Sequence, residues 1–411
     1  MKEGLVIKDL GDICHFQNGF AFKSKTFKEF GEPVVRITNI QNDRVESKGF
    51  VFVDRNDYSQ DLSKYEVRKG DLLIAMSGAT TGKIGLYRSE KILLLNQRVG
   101  LFKPSQSLDK QYLYYFLSTK VEESLAISAG AAQPNLSTEQ IKAFQIPLPP
   151  LPEQQRIVSI LDKAFAAIDQ AKANAEQNLK NAKELFESYL QGVFENGDWE
   201  TKVFNEVCEI SSKLIDPKKT EYQNLIHVGA GNIEAMTGEL SNLKTAKEEN
   251  LISGKFLFDK SMVLYSKIRP YLMKVVNCDF QGLCSADIYP LKPFEKVISK
   301  DYLYHLLLTK EFTEYAIQGS QRAGMPKVNR KHLFEYRFKL PSLIEQQSIV
   351  RKLDALQAET QKLEAVYQKK MDDLEELKKS VLQKAFAGEL KVSELGFDGL
   401  KDDMILEKDK T

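Results

Sequence analysis

The chain has 411 residues, of which 42% are hydrophobic and 28% charged. This is more than one hydrophobic core normally organises, so the sequence predicts two or more domains. No stretch approaches the roughly 18 to 20 apolar residues of a membrane-spanning helix, and no signal-peptide pattern opens the chain, so we expect a soluble cytoplasmic protein. The four cysteines form no CxxC pair, which argues against a zinc site or a disulfide framework.

The formal net charge of +1 hides a difference between segments. Residues 1–150 contain 20 Lys+Arg against 17 Asp+Glu, and residues 198–340 contain 21 against 18. The other segments are net acidic. An excess of three positive charges on a module of this size is too small to identify a nucleic-acid-binding surface by itself.

The first 150 residues have the pattern of a strand-rich module. Apolar runs separated by turn residues predict strands at 33–37, 50–53, 71–75, 91–95 and 99–102. Residues 110–118 and 138–143 have the pattern of short helices. We therefore predict an irregular α+β module.

A polar, glycine-rich loop, Ser-Gly-Ala-Thr-Thr-Gly-Lys at 77–83, follows the strand predicted at 71–75. A phosphate-binding loop has four residues between its glycines and a Ser or Thr after its lysine, whereas this loop has three, and Ile84 follows. The pattern therefore argues against nucleotide hydrolysis. The loop either contacts DNA phosphates or bases, or is simply solvated. The candidate contacts in this part of the chain are Ser77, Thr80, Thr81, Lys83 and Arg98.

A long stretch without proline or glycine, residues 153–191, follows the first module. Apolar or small residues recur along it at alternating steps of four and three, which predicts one long helix with a narrow seam. At 1.5 Å per residue, about 40 residues span on the order of 60 Å, so the helix must project beyond a module of about 150 residues. The predicted seam positions are Ile157, Leu161, Ile168 and Leu185.

The second half of the chain repeats this order of elements. Residues 262–265 predict a strand where 72–75 stands in the first module. The loop that follows, Ser-Lys-Ile-Arg-Pro-Tyr-Leu-Met-Lys at 266–274, is more basic than its counterpart. Cations and a tyrosine on one short loop suit contacts to the DNA backbone and bases. The candidates are Lys267, Arg269, Tyr271 and Lys274.

Two further loops, 130–135 and 319–327, lie at equivalent places near the ends of the modules. They differ in chemistry, as expected if two duplicated modules keep one scaffold and read different base sequences. Unconstrained loops also diverge, so the difference alone decides nothing. The candidate DNA contacts here are Gln133, Asn135, Arg322 and Lys327.

An internal repeat with a period near 192 residues relates the two halves. The pattern Leu-Pro-x-Leu-x-Glu-Gln-Gln-x-Ile-Val occurs at 148–158 and again at 340–350, and a second proline-free stretch follows the second copy. The chain is therefore a tandem duplication of a module and a helix. The second seam contains Ile349, Leu353, Leu356, Leu363, Leu374 and Leu377.

A narrow seam pairs a helix with one or two others and does not bury it in a core. The natural partner is the other copy. Because a module precedes each helix, antiparallel pairing would put the modules at opposite ends, and the helices would act as a molecular ruler. The alternative is that each helix only caps its own module.

Taken together, these residues resemble the specificity (S) subunits of type I restriction-modification systems. The resemblance covers the whole chain. It rests on the duplicated Leu-Pro pattern, on Gly-Asp-Leu-Leu at 70–73 leading into Ser-Gly-Ala-Thr at 77–80, and on Leu-Tyr-Ser-Lys-Ile-Arg-Pro-Tyr at 264–271. The second module lacks the Ser-Gly-Ala-Thr loop, so contacts cannot be transferred residue by residue between the modules.

The predicted fold class is α+β, a tandem repeat of two strand-rich target-recognition domains. Each domain is followed by a long α-helix, and the two helices pair as an antiparallel coiled coil. The predicted boundaries are 1–150 and 197–342 for the recognition domains, 151–196 and 343–390 for the spacer helices (conserved regions), and 391–411 for an acidic, flexible tail.

The resemblance implies a bipartite, asymmetric site on double-stranded DNA, with one half read by each domain. It also implies docking of two methyltransferase (M) subunits and of motor-nuclease (R) subunits. These partners would bring S-adenosylmethionine, ATP and Mg²⁺, and no cofactor or metal is expected on this chain.

No catalytic residue is predicted. The four histidines show no metal-ligand spacing, and the chain has no Asn-Pro-Pro-Tyr type of methyltransferase motif. Two other classes stay open at this stage. One is a two-headed protein-binding scaffold spaced by a coiled coil, and the other is a DNA-acting enzyme with an unrecognised site.

Overall fold

A computed structural model describes residues 6–41, 43–128, 135–195, 198–210, 213–320 and 325–390. The chain forms two compact units, residues 1–174 with 370–411 and residues 175–369. Each unit contains one strand-rich module and a part of each long helix. The tail predicted at 391–411 lies outside the described residues.

Short helices in each module precede a long one. The helices are α1 (Leu10–Ile13), α2 (Lys110–Ser118), α3 (Val121–Ser128), α4 (Thr138–Lys142), α5 (Leu151–Glu195), α6 (Lys300–Leu307), α7 (Lys310–Gln318), α8 (Arg330–Phe334) and α9 (Leu343–Phe386). The short helices α2 and α4 were predicted, and α3 was not. Asp109 caps α2 by accepting the backbone N–H groups of Gln111 and Tyr112, two donors that the helix leaves unpaired.

The described residues of the first module form two mixed sheets and one strand pair. Its strands are β1 (Ile7–Asp9), β2 (Cys14–Asn18), β3 (Glu32–Val35), β4 (Ile40–Gln41), β5 (Asp43–Val45), β6 (Val51–Val53), β7 (Glu66–Val67), β8 (Leu72–Ala75), β9 (Ile84–Leu86), β10 (Leu93–Leu95), β11 (Val99–Pro104) and β12 (Gln145–Pro147). The sheet orders are β2-β11-β8-β9-β5-β4, β6-β3-β10-β7 and β1-β12. Each of the five strands predicted from the sequence is present, as β3, β6, β8, β10 and β11.

Strand β8 shows how alternation builds the core of this module. All four of its residues are buried, because both faces of the sheet are covered. Leu72 and Ile74 face the cluster that includes α2 and the long helices. Leu73 and Ala75 face a second cluster between the sheets. Successive side chains of a strand point to opposite faces, so one apolar run serves two cores.

The second module repeats this plan. Its strands are β13 (Glu200–Val203), β14 (Cys208–Ile210), β15 (Leu214–Ile215), β16 (Ile226–Val228), β17 (Lys244–Thr245), β18 (Lys255–Phe258), β19 (Val263–Ser266), β20 (Val275–Asn277), β21 (Gly282–Cys284), β22 (Ile288–Pro293) and β23 (Arg337–Leu340). The sheet orders are β14-β22-β19-β20, β15-β18-β21-β16-β17 and β13-β23. Strand β19, which was predicted, takes the place of β8: Val263 and Tyr265 face one cluster and Leu264 the other.

In the first unit, the beginning of α5 packs against the end of α9. Asp169 pairs with Lys378 at 3.3 Å and Lys172 with Glu375 at 2.5 Å. The residue number rises along α5 while it falls along α9, so the helices run antiparallel.

In the second unit, the end of α5 faces the beginning of α9, and Lys183 pairs with Glu364 at 3.4 Å. Tandem modules with paired helices confirm the predicted fold class.

The predicted seam follows the structure over most of its length but fails at one equivalent position in each helix. Ile157, Leu161, Ile168 and Leu353 are buried, and Ile349, Leu356, Leu363 and Leu374 are half-buried. Leu185 and Leu377, by contrast, are 62% and 46% exposed. A straight α-helix drifts by about 20° per heptad from a strict 3.5-residue repeat, so the next residues, Phe186 and Lys378, turn inward instead.

None of the described helices combines the length and the apolar character that a bilayer span requires. Within the described ranges, no three His, Cys, Asp or Glu side chains form a group suited to hold a metal ion. The four cysteines are buried free thiols.

Candidate nucleic-acid interface

A buried glutamine anchors the first module to its long helix. The Gln154 amide oxygen accepts the backbone N–H of Asp109 at 2.8 Å, and its nitrogen donates to the carbonyls of Ser107 at 2.9 Å and Pro149 at 2.8 Å. The side chain is completely buried. Three hydrogen bonds to this buried side chain fix the start of α5 against the cap of α2.

The second module has the same anchor. The Gln346 oxygen accepts the N–H of Ser299 at 2.8 Å, and its nitrogen donates to the carbonyls of Val297 and Pro341, both at 2.9 Å. The duplicated Glu-Gln-Gln pattern therefore has a structural cause, since its first glutamine closes each junction. Sequence reasoning missed this role, because two of the three partners in each module are backbone groups 45 to 49 residues away.

In the first module, the loop after β8, residues 76–83 (the glycine loop), is tied to two neighbouring segments. The Met76 N–H donates to the Arg98 carbonyl at 2.9 Å, and the Leu136 N–H donates to the Met76 carbonyl at 2.8 Å. Ser77 forms an isolated bridge with Asn135. The loop thus brings together two segments on which DNA contacts were predicted.

In the second module, the loop after β19, residues 267–274 (the arginine loop), makes the corresponding contacts. The Lys267 N–H donates to the Asp287 carbonyl at 3.0 Å, and the Val328 N–H donates to the Lys267 carbonyl at 2.8 Å. Ile268 forms an isolated bridge with Lys327. The two loops are therefore equivalent despite their different sequences.

Left-handed backbone conformations fall at the same places in both loops. Gly78 and Gly82 have φ of 74° and 81°, and Arg269 and Met273 have φ of 50° and 47°. Glycine adopts this conformation freely, whereas other residues pay for it. Strained residues of this kind cluster at functional sites, which favours a role for the arginine loop.

The glycine loop exposes fewer of its predicted contacts than expected. Thr81 is fully buried and its hydroxyl donates to the Gly78 carbonyl at 2.7 Å, and Thr80 is also buried. Because the loop turns both threonines into the module, neither offers its side chain to DNA, which corrects that prediction. Ser77 is half-buried, and Lys83 donates to the Gln41 side chain at 3.2 Å.

The arginine loop is more open. Arg269 is exposed, and the described residues give its guanidinium no hydrogen-bonding or charged partner. Tyr271 is 54% exposed. Lys267 is half-buried with its ammonium 4.8 Å from the centre of the Tyr289 ring, and burial lowers the pKa of Lys267. Lys274 donates to the Ala230 carbonyl at 2.8 Å, so both lysines are engaged within the module.

Beside each loop, two side chains that stand at equivalent positions bond to each other. In the first module, the Arg98 guanidinium donates to the Asn135 side-chain oxygen at 3.0 Å. In the second module, the Lys327 ammonium donates to the Asp287 carboxylate at 2.9 Å. Arg98 stands at the position that Asp287 occupies in the second module, and Asn135 at that of Lys327. The cation therefore lies on a different segment in each module. Asp287 was not among the predicted residues, and an isolated aspartate before a strand gives no sequence signal.

Two predicted contacts, Gln133 and Arg322, lie outside the described residues.

A module that occurs twice, with one loop scaffold and different exposed side chains, defines the chain as a tandem-repeat protein. The family described as "Type I restriction modification DNA specificity domain" matches residues 2–181 and 196–370. The chain therefore belongs to this family, and the resemblance inferred from the sequence is confirmed.

Curated relatives and solved structures agree with this assignment. The specificity subunit of the type I restriction enzyme EcoDI from Escherichia coli is 30% identical over 346 residues, covering 75% of this chain and 74% of the relative. The EcoBI specificity subunit, also from Escherichia coli, is 24% identical and covers 93% of this chain and 85% of the relative.

The fold is also found in solved structures. A chain of a type I R-M system has a TM-score of 0.74 at 18% identity, covering 94% of this chain and 99% of that chain. The HsdS subunit from Thermoanaerobacter tengcongensis has a TM-score of 0.60 at 18% identity, covering 95% of this chain and 98% of that chain. These likenesses confirm the fold.

Proposed function

We propose that this chain is the DNA sequence-specificity subunit of a type I restriction-modification enzyme and binds a bipartite, asymmetric site. Each module reads one half. The observation that carries this proposal is the equivalence of the glycine and arginine loops: the backbone contacts are the same, while the exposed side chains differ. Positioning by a common backbone with readout by variable side chains is how duplicated domains recognise different base sequences.

The DNA-facing side chains that we propose are the exposed or half-buried ones beside these loops. In the first module they are Ser77, Lys83, Arg98 and Asn135. In the second they are Arg269, Tyr271 and Lys327, with Lys267 and Lys274 in supporting positions. Gln133 and Arg322, which lie outside the described residues, stay predicted contacts. Cations that contact phosphates release counterions on binding, so affinity should fall steeply with salt.

The test is DNA binding by the chain assembled with its modification subunits. We expect affinity for random duplex DNA that falls with increasing salt, and tighter binding to one bipartite sequence. An assembled complex without affinity for DNA would contradict the proposal.

We propose further that the helices set the distance between the half-sites. Helices α5 and α9 are continuous over 45 and 44 residues. One added heptad lengthens a helix by about 10 Å, which corresponds to about three base pairs. Inserting a heptad into both helices should therefore lengthen the unread spacer by about three base pairs and leave both half-sites unchanged, as read from the positions of methylated adenines. An unchanged spacer would contradict the ruler.

The partners that we propose are double-stranded DNA, two methyltransferase subunits and motor-nuclease subunits, in the cytoplasm. S-adenosylmethionine, ATP and Mg²⁺ belong to those subunits, and this chain contributes recognition and docking. We keep the domain boundaries at 150, 196, 342 and 390, supported by helix starts at Leu151 and Leu343. Native mass measurement of the purified complex tests the stoichiometry.

A further inference from the structure

The side-chain pair beside each loop combines a cation with a hydrogen-bond acceptor. The acceptor is Asn135 in the first module and Asp287 in the second. Arg98 and Asn135 are exposed, and Lys327 and Asp287 have side chains that are 40% and 42% exposed. Exposed charged contacts of this kind add little to the stability of a fold. Stability alone therefore does not explain why both modules have such a pair.

The pairs restrict the direction of each cation. The Asn135 oxygen engages one terminal nitrogen of the Arg98 guanidinium, and no other described group accepts from the remaining N–H groups in the same plane. The Asp287 carboxylate engages one proton of the Lys327 ammonium, and its second oxygen has no hydrogen-bond donor among the described side chains. A cation held in this way loses less freedom on binding than a solvated one.

The chemistry that fits these groups is a G·C base pair seen from the major groove. Guanine offers two acceptors there, N7 and O6, and cytosine offers one donor, its N4 amino group. Arg98 supplies two parallel donors to guanine. Lys327 supplies donors to guanine, and the free oxygen of Asp287 accepts from the cytosine of the same pair.

We propose that the Arg98–Asn135 pair and the Lys327–Asp287 pair each read one G·C base pair, the first in one half-site and the second in the other. This inference rests on the proposed function. It assigns Arg98 and Lys327 as base-contacting residues, Asn135 as a positioning residue, and Asp287 as both.

The test uses the enzyme assembled with its modification subunits and a DNA library in which every position of both half-sites is varied. Methylation rates on each sequence give the base preference at each position. The variants are Arg98→Ala, Lys327→Ala and Asp287→Ala, with Arg98→Lys and Asp287→Asn as milder changes. Arg88→Ala and Lys331→Ala serve as controls, because both residues are exposed and lie outside the proposed interface.

Arg98→Ala should reduce the preference for G·C about tenfold or more at one position of one half-site, and leave the other half-site unchanged. Lys327→Ala and Asp287→Ala should do the same at one position of the other half-site. Arg98→Lys should keep overall affinity while losing part of the guanine preference, since lysine lacks the planar fork. The controls should keep the wild-type preferences.

Three outcomes would overturn the inference. Variants that weaken binding equally on all sequences would show phosphate contacts, and an A·T preference at the affected positions would contradict the assignment to guanine. Variants that change nothing would remove the pairs from the interface. In each case the wild-type enzyme would still be selective, so the proposed function would stand. A wild-type enzyme without preference at any position would instead reject the proposed function itself.

Discussion

The two units share one anchoring device and differ in the contacts around it. Gln154 and Gln346 make the same three hydrogen bonds. Close by, the Tyr115 hydroxyl donates to the Asp162 carboxylate in the first unit. In the second unit, the equivalent position is His305, whose Nε2 lies 2.8 Å from Asp354.

The groove between module and helix pair differs more. In the first unit, the Lys378 ammonium lies 5.1 Å from the centre of the Phe165 ring and pairs with Asp169. In the second unit, the equivalent positions hold Phe186 and Gln357, and they line a cavity of about 530 Å³. The two units therefore share the hydrogen bonds of the buried glutamine but differ in the packing beside it.

The largest expected effect is loss of either anchor. Gln154→Ala leaves a buried N–H and two buried carbonyls without this partner, so we expect the first unit to lose about 3 kcal/mol of unfolding free energy. Gln346→Ala should cost the second unit a similar amount. Denaturant unfolding measures both, and the exposed neighbours provide matched controls: Gln155→Ala and Gln347→Ala should change stability by less than about 0.5 kcal/mol. Equal losses of unfolding free energy in the anchor variants and the control variants would contradict the anchoring role of the two glutamines.

The second expected difference is that acidification destabilises the second unit more than the first. Burial lowers the pKa of His227 and of His305 below 6.5, opposed at His227 by Glu249 and at His305 by Asp354 and Asp301. The unfolded chain therefore takes up protons before the folded one as pH falls below 6.5, and the second unit loses stability in that window. The first unit contains one histidine, His15, which is exposed.

Hydrogen exchange at pH 7.5 and 5.5, corrected for the intrinsic rate, follows each unit separately. The second unit should lose more protection than the first, and His305→Gln should reduce the difference. Equal losses of protection in the two units would show that these histidines do not determine the pH dependence of stability.

Backbone strain is expected in the arginine loop and not in the glycine loop, because non-glycine residues occupy the left-handed positions only in the arginine loop. Arg269→Gly removes a side chain from a left-handed residue, so we expect a gain of about 1 kcal/mol in stability together with weaker DNA binding by the complex. Met273→Gly is the matched control, since it relieves the same kind of strain outside the proposed interface. It also removes a half-buried side chain that packs against the core of this module, which offsets the gain in stability, and it should leave affinity for DNA unchanged. If Arg269→Gly binds DNA as the wild type does, Arg269 is not a contact.

The smallest effect concerns the helix pairs. Lys378→Met removes both the ion pair with Asp169 and the contact with Phe165, so a loss of about 1 kcal/mol is expected in the first unit. Lys183→Met removes a more exposed lysine, 53% against 30% for Lys378, and should cost the second unit less than about 0.5 kcal/mol. Thermal unfolding of both variants tests the ranking, and a larger loss for Lys183→Met would reverse it.

The duplication and the long helices could be predicted from the sequence, because the 192-residue period and the absence of proline and glycine are local patterns. Leu185 and Leu377 were wrong because a seven-residue repeat in sequence does not follow a 3.6-residue helix indefinitely. The error occurred at the same place in both copies, which itself reflects the duplication.

Much of the candidate site could not be predicted in this way. The glycine and arginine loops share a backbone, but glycines signal the left-handed positions only in the first, while Arg269 and Met273 occupy them in the second. The burial of Thr80 and Thr81 depends on how the turn packs. Asp287 becomes visible only once the fold brings it to Lys327.

The central claim is that each module reads one half-site independently of the other. The most direct measurement is a genome-wide map of methylated adenines for the wild-type enzyme and for one in which residues 198–342 are replaced by the corresponding module of another family member. We predict that one half-site changes, while the other half-site and the spacer length stay as they were. A change in both half-sites, or in neither, would contradict this account.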